Sequence, residues 1–274
     1  MSLDCCLRHV EVGLSKYEIM SNRLMDLLRA FTFMFKDRNW LIKLAAMALF
    51  VVLCPAPVIG LLCFCALLGY QAEIIHNVSR DYPRPLPEWD HIGEDIGKGA
   101  HVLMAIALYH LPLVLIVGLL YVARETLAVS VFGSLTFAGV LAAIVPLLMI
   151  YCFIAWTLLA IGLVNYAESW ESGAFYQFNK LLRSIGNHGD LTLQWLVYSL
   201  AASMILLLLL PLAPFLFFPV QGYVTGSFGR RLQSARMQRR DANIRAVPAA
   251  DVMRLGIDGP EGHVPPRSNE TAGS

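Results

Sequence analysis

Charge is scarce in this chain. Only 15% of its 274 residues are Asp, Glu, Lys or Arg, where a soluble domain carries about a quarter. The hydrophobic share is 57% and the mean hydropathy +0.59. So much apolar surface cannot be hidden inside a water-facing globule, and lipid is the expected solvent. Net charge is also nearly missing, at +1, which argues against a general nucleic-acid binder. Zinc-type cysteine pairs are absent. None of Cys5, Cys6, Cys54, Cys63, Cys65 and Cys152 has C-x-x-C spacing, and most fall in apolar runs as small filler. No cleavable leader is visible: residues 1–38 are polar and lack an apolar core before a small-residue cleavage site. The first apolar helix is therefore expected to do the targeting and to remain.

What the chain does have is a series of apolar runs broken by proline. A helix needs roughly 20 apolar residues to cross the hydrocarbon core of a bilayer. The first run, Trp40 to Tyr70, contains Cys54-Pro55-Ala56-Pro57. Two prolines at that spacing remove amide donors and clash with the preceding turn. They predict a tight hairpin of a short span, 40–54, and a fuller one, 58–78. Residues 100–121 form a third span. Residues 127–164 carry no charge and are too long for one upright helix, so one long helix and a broken one both stay open. The last run, 192–229, breaks at Pro211-Leu212-Ala213-Pro214, and Pro219 is expected to interrupt its second half. "LCPAPVIGLLCFCALLGYQ" and "LLPLAPFLFFPVQGYV" share a proline pair, an apolar run and a Gly-Tyr, which in the first copy is Gly69-Tyr70. The expected fold is an all-α integral membrane protein of about six transmembrane helices. Two Pro-broken hairpins flank a central helix pair, with interfacial amphipathic helices beside them.

Lys and Arg mark the cytoplasmic side. Arg8, Lys16, Arg23, Arg29, Lys36 and Arg38 precede the first span, and Lys43 lies one turn inside it. Arg80, Arg84 and Lys98 fall in the 79–99 loop, Lys180 and Arg183 in the 165–191 loop, and eight arginines follow the last span. Only Arg124 is left for the other face. Six spans keep the basic segments inside and leave three short turns outside, near 55–57, 122–130 and 211–214. Seven would export the basic tail. Both termini are thus expected in the cytoplasm, with the plasma membrane as location. The domain plan is an N-terminal cytoplasmic extension, 1–22, a membrane domain, 23–232, and a basic, largely disordered tail, 233–274.

Two segments have the one-sided pattern of interfacial helices. In 23–38, Leu24, Leu27, Leu28, Phe31 and Phe35 share a face. In 174–186, Phe175, Phe178, Leu181, Leu182 and Ile185 do so, opposed by Lys180 and Arg183. The loop "YPRPLPEWDHIGEDIGKG", 82–99, reads as a structural connection. Pro83, Pro85 and Pro87 keep it extended. Asp90 is placed to cap the next helix, and Trp89 suits the headgroup level.

Residues that could carry chemistry are few. Glu73-Ile74-Ile75-His76 has the spacing of half a di-iron site, but there is no second Glu-x-x-His. His101 and His110 are nine residues apart, on opposite faces at about 100° per residue, and cannot share a metal. Gly93, Gly97 and Gly99 follow no strand, and Lys98 is not followed by Ser or Thr as a phosphate loop requires. Ser203 has no partnering base. No catalytic, cofactor or metal site is expected. His110 and Asn165 remain weak intramembrane polar candidates. No Asp, Glu, Lys or Arg is expected deep in a span.

"FKDRNWLIKL", Gly69-Tyr70, "LPEWD", "NYAESWESGAFYQFNKLLRSI" and "GYVTGSFGR", in that order, resemble the domain of unknown function 4013 family of multi-pass membrane proteins. The resemblance covers about residues 27–231. It implies an integral membrane protein and brings no activity or ligand set. The structural positions it and the pattern single out are Pro55, Pro57, Gly69, Tyr70, Pro87, Trp89, Asp90, Phe178, Lys180 and Arg183. Two functions stay open. One is a scaffold or accessory subunit organising lipids or partner proteins. The other is a small permease or channel, alone or as a homo-oligomer, in which Tyr109, His110, Thr157, Asn165 and Ser203 would have to converge on a polar cavity.

Overall fold

The computed structural model of the protein describes residues 27–127 and 131–245, with side chains throughout except at 126, 127, 131–135 and 243–245. Expectations for 1–22, for the start of the first amphipathic segment and for 246–274 lie outside the described residues. After helical residues 27–32 and a 3-10 turn at Phe33–Lys36 come α1 (Trp40–Leu53), α2 (Pro57–Ser79), α3 (Ile92–Leu127) and α4 (Val131–Ser169). A second 3-10 turn, Ser172–Phe175, leads to α5 (Phe178–Asn187), α6 (Gly189–Leu208) and α7 (Ala213–Arg245). No strand occurs among the described residues. The chain divides into two units, residues 1–232 and 233–274.

Local sequence sets the helix ends. Pro57 opens α2 at a position where its missing N–H costs nothing, after an extended Ala56. The turn is so close that a Cβ on Gly60 would lie 1.9 Å from the Cys54 carbonyl oxygen. The other end of α2 closes with Asp81 in the left-handed region, φ 58°, and Tyr82 N–H donates back to Asn77 O at 2.9 Å. That is the pattern of a Schellman stop with aspartate in glycine's usual place. The third helix starts at Ile92, just after Asp90. His91 O, not the Asp90 side chain, receives its first N–H groups. Asp90 is exposed, and no side-chain hydrogen bond to it occurs among the described residues.

One expectation needs correction and one open point closes. From Val131 onward the charge-free stretch is one continuous helix, α4, which runs through Pro146. Pro219 does not interrupt α7; apolar helices carry an internal proline when neighbouring groups take up the freed carbonyl. The basic segment also stays helical as far as Arg245, because Gln233 to Arg245 contains neither proline nor glycine and is rich in good helix formers.

Among the described residues four helices are long and apolar enough to cross a membrane: α2, most of α3, most of α4, and α6. At 14 residues α1 is apolar but short. The tightest crossing is between α2 and α3. A Cβ on Gly69 would sit 2.0 Å from Asp95 O, and one on Gly99 would sit 1.7 Å from Cys65 O. Small residues spaced four apart let the two backbones touch. That contact sets relative heights. The helices run antiparallel, so Pro57, twelve residues above Gly69, stands level with about residue 107 of α3. From there α3 continues to Leu127, about 30 Å beyond the α1–α2 turn. Tyr151 Oη, on α4, donates to Tyr109 O at 2.5 Å, so Pro112 and Pro146 each lie within two helical turns above that contact. The α3–α4 arm beyond them is apolar and open, with Leu119 and Val145 among its exposed side chains. The packed core lies below, around Met34, Met47, Tyr70, Tyr166 and Phe175.

Candidate functional site

The extended loop before α3 lies clamped in the base. An extended Pro-x-Pro stretch makes no helical or sheet bonds, so its carbonyls need donors from elsewhere. The helices supply one for each. Asn77 Nδ2 donates to Pro85 O at 3.2 Å, Lys43 Nζ to Leu86 O at 2.9 Å, and Tyr70 Oη to Pro87 O at 3.3 Å. Trp89 stacks on Tyr70 with ring centroids 4.2 Å apart and planes 6° from parallel, and its indole N–H donates to Lys43 O at 3.2 Å. Its ring also meets Phe50. The tryptophan expected at the headgroups is thus the rivet of the loop.

Lys43 anchors the same clamp from below. Its ammonium is 2.7 Å from Asp37 Oδ2, and both side chains are buried. Burial alone would raise the Asp37 carboxyl. The Lys43 ammonium and the Asn39 amide, 2.9 Å from Oδ1, outweigh it and hold the carboxyl below its ordinary range. A buried pair was not expected from the sequence. "FKDRNWLIKL" carried the signal: an aspartate and a lysine six residues apart, where the helix has not yet begun at the first.

A second polar cluster joins α2, α3 and the end of α4. Lys98 pairs with Glu73, lies 3.9 Å from Glu94, and holds its ammonium 4.7 Å from the Trp170 ring centre. Asp95 is buried beside Glu73, so the base buries ionisable groups at the helix ends. The Glu73/His76 spacing is not used as a pair. His76 Nδ1 donates to Ala167 O at 2.5 Å, across to α4. Tyr166 Oη donates to Lys98 O at 3.2 Å and meets His101 Nδ1 at 3.2 Å. Trp170 ends α4 at φ 57°, a left-handed conformation that costs a bulky residue energy. His76, Tyr166 and Lys98 surround its ring and hold it there. Among the described residues no group of three or more His, Cys, Asp or Glu could hold a metal.

The residues of the supposed polar cavity do not meet. Tyr109 Oη donates to Phe175 O, His110 Nδ1 to Ile106 O on its own helix, and Thr157 Oγ1 to Phe153 O on its own helix. Ser203 belongs instead to a network that sequence reading missed. Gln221 Oε1 accepts from Ser199 Oγ at 2.8 Å, and Gln221 Nε2 donates to Ser199 O and Ser203 Oγ at 3.1 and 2.9 Å. These bonds join α6 to α7. Gly222 and Gly226 press α7 onto Ile74 and Val78 of α2; the G-x-x-x-G spacing was the available signal. Asn165 is half-buried on α4 and engaged with its surroundings.

The amphipathic segment 174–186 is a helix only from Phe178. Phe175 is wholly buried against Gly162 and Tyr166, and Leu181 is buried as well. Phe178 and Leu182 stay exposed, as do Lys180 and Arg183.

An all-helical body with several membrane-length apolar helices, polar groups tied off at one end and an apolar arm at the other, is a membrane-embedded protein. It is one of a class defined so far by architecture. The chain belongs to the family described as Protein of unknown function (DUF4013), whose model matches residues 48–218. That match includes "LPEWD" and the 165–185 segment; "FKDRNWLIKL" and "GYVTGSFGR" lie outside it. No curated protein and no solved structure gave a significant match.

Proposed function

We propose that the protein is a scaffold or accessory subunit of the plasma membrane, which organises lipids or a partner membrane protein and catalyses nothing itself. Support comes from the division of its surface. Most polar side chains of the base are spent on one another and on the clamped loop, while the α3–α4 arm offers apolar side chains outward from both helices. Helices α1, α2, α3, α4, α6 and α7 enter the apolar layer as two short hairpins and one long one, and both termini stay in the cytoplasm. Photo-crosslinking residues at Leu119 and Val145 test this in intact membranes. One reproducible adduct, to a second protein or to another copy of the chain, supports it. Adducts to lipid alone at both sites overturn partner binding. Reporter fusions at residues 20 and 245 test the topology, and an external signal from either overturns it.

The alternative, a small permease or channel, has one observation in its favour, a central cavity of about 310 Å³. Solute flux through protein reconstituted in liposomes decides between them.

A further inference from the structure

That cavity lies in the base between α2, α3, α4 and α7, and its wall holds no charged side chain. Aromatic and aliphatic groups dominate it. Of its polar groups, Gln221 has both amide ends occupied by Ser199 and Ser203. Thr225 Oγ1 accepts from the Trp195 indole at 3.3 Å and keeps its own proton to donate. His110 Nδ1 can only donate to the Ile106 carbonyl, 2.8 Å away, so in the neutral ring Nε2 is an acceptor. The Gln71 amide has no hydrogen bond to any described residue. A polar group without a partner is costly where lipid replaces water.

We propose that the cavity is a binding site for one neutral, single-chain lipid with a hydroxyl or carbonyl end, drawn from the surrounding bilayer. The uncharged wall selects the neutral class, since an ionic headgroup would enter without a counter-charge. Size selects a single chain. The cavity follows α7 from Phe217 to Thr225, about 12 Å of helix. At about 310 Å³ it holds the volume of about ten waters, a slot for one chain. Gln71 and Thr225 lie towards the cytoplasmic end, and each can bond a hydroxyl or carbonyl. At the other end are His110 Nε2, an acceptor for a hydroxyl, and Trp156, which is 41% exposed and marks a lateral entrance from the bilayer. The site stands independently of the scaffold reading, because it needs no protein partner.

The test uses full-length protein in phosphatidylcholine vesicles and a long-chain alcohol carrying a photoreactive diazirine and an alkyne handle. Saturable labelling is expected within 156–163 and 217–225, displaced by unlabelled alcohol and not by the matching fatty acid carboxylate. Ala160→Trp fills the slot and should abolish labelling. Gln71→Leu and His110→Phe together keep its volume and should weaken binding about tenfold. Those two decide the matter if Ala160→Trp fails to fold. Leu200→Trp, on the wall of a neighbouring space between α4 and α6, should change nothing. Labelling that never saturates, that is as strong on the arm at 113–125, or that ignores the Gln71 and His110 changes overturns the site. Displacement by the carboxylate overturns its neutral class.

Discussion

A single methyl group on Gly99 tests the crossing on which the base is built. The Cβ of alanine would lie 1.7 Å from Cys65 O and 2.8 Å from Gly69 N, both backbone atoms. Side chains can rotate away from an intruder, but helix backbones cannot. To restore even 3.0 Å, α2 and α3 must part by about 1.3 Å at their closest point. That also shifts Asp95 and Lys98, which flank Gly99 on the same face. Overpacking of this kind costs about 3 kcal/mol, which for a chain of this size lowers the melting temperature by about 6–12 °C. Gly97, two residues away, is the internal control: nothing lies within 4 Å of its Cβ position. Gly97→Ala removes only a flexible helix residue and should stabilise by up to about 1 kcal/mol. Both variants can be melted in the same detergent and followed by loss of the monodisperse peak. Equal melting of the two would refute the backbone contact and the height assignment built on it.

Trp89→Ala should cost about 3 kcal/mol, because it removes the Tyr70 stack and the bond to Lys43 O together. Glu94→Gln, at an exposed side chain 3.9 Å from Lys98, should leave the yield of folded protein unchanged; a large loss there would return the loop to candidacy as a reactive segment. Asp37→Asn strands the buried Lys43 and should cost about 3 kcal/mol at neutral pH. Because the native Asp37 carboxyl is held below its ordinary value of about 3.9, its contribution is complete above about pH 4 and shrinks as pH falls through the lowered value. A gap between wild type and variant that stays constant down to about pH 2 refutes the pairing. Spin labels at positions 178 and 180 should differ, the first shielded from water-soluble quenchers by lipid and the second reachable; equal access at both refutes an interfacial α5.

The helical class was legible because scarce charge and long apolar runs leave a bilayer protein few alternatives. Pro55 and Pro57 also revealed their turn, since two missing amides in three residues act locally. Pro219 misled, because a single proline inside an apolar helix is decided by what packs beside it. Trp89 and Tyr70 were both visible as notable residues, yet their stacking joins positions nineteen apart through a fold that periodicity does not encode. The Lys43–Asp37 and Lys98–Glu73 pairs stayed hidden for a related reason. Hydropathy treats a charge near a helix end as exposed, whereas these are covered by the loop and by Trp170.

The unequal heights of the hairpin turns make the protein a step in the plane of the membrane. On the α1 side a lipid meets only 14 helical residues, about 21 Å of helix, against a hydrocarbon layer of about 30 Å. On the arm side it meets a full bilayer's worth. Lipids next to α1 must therefore shorten or tilt, at a fraction of a kcal/mol for each Å of misfit, while those around the arm keep their resting length. Two copies that turn their short sides together share one dimple where apart they would make two. The bilayer itself then supplies an attraction, with a preferred orientation and no contact between the chains. In a bilayer of uneven thickness the same misfit costs least where thick and thin membrane adjoin.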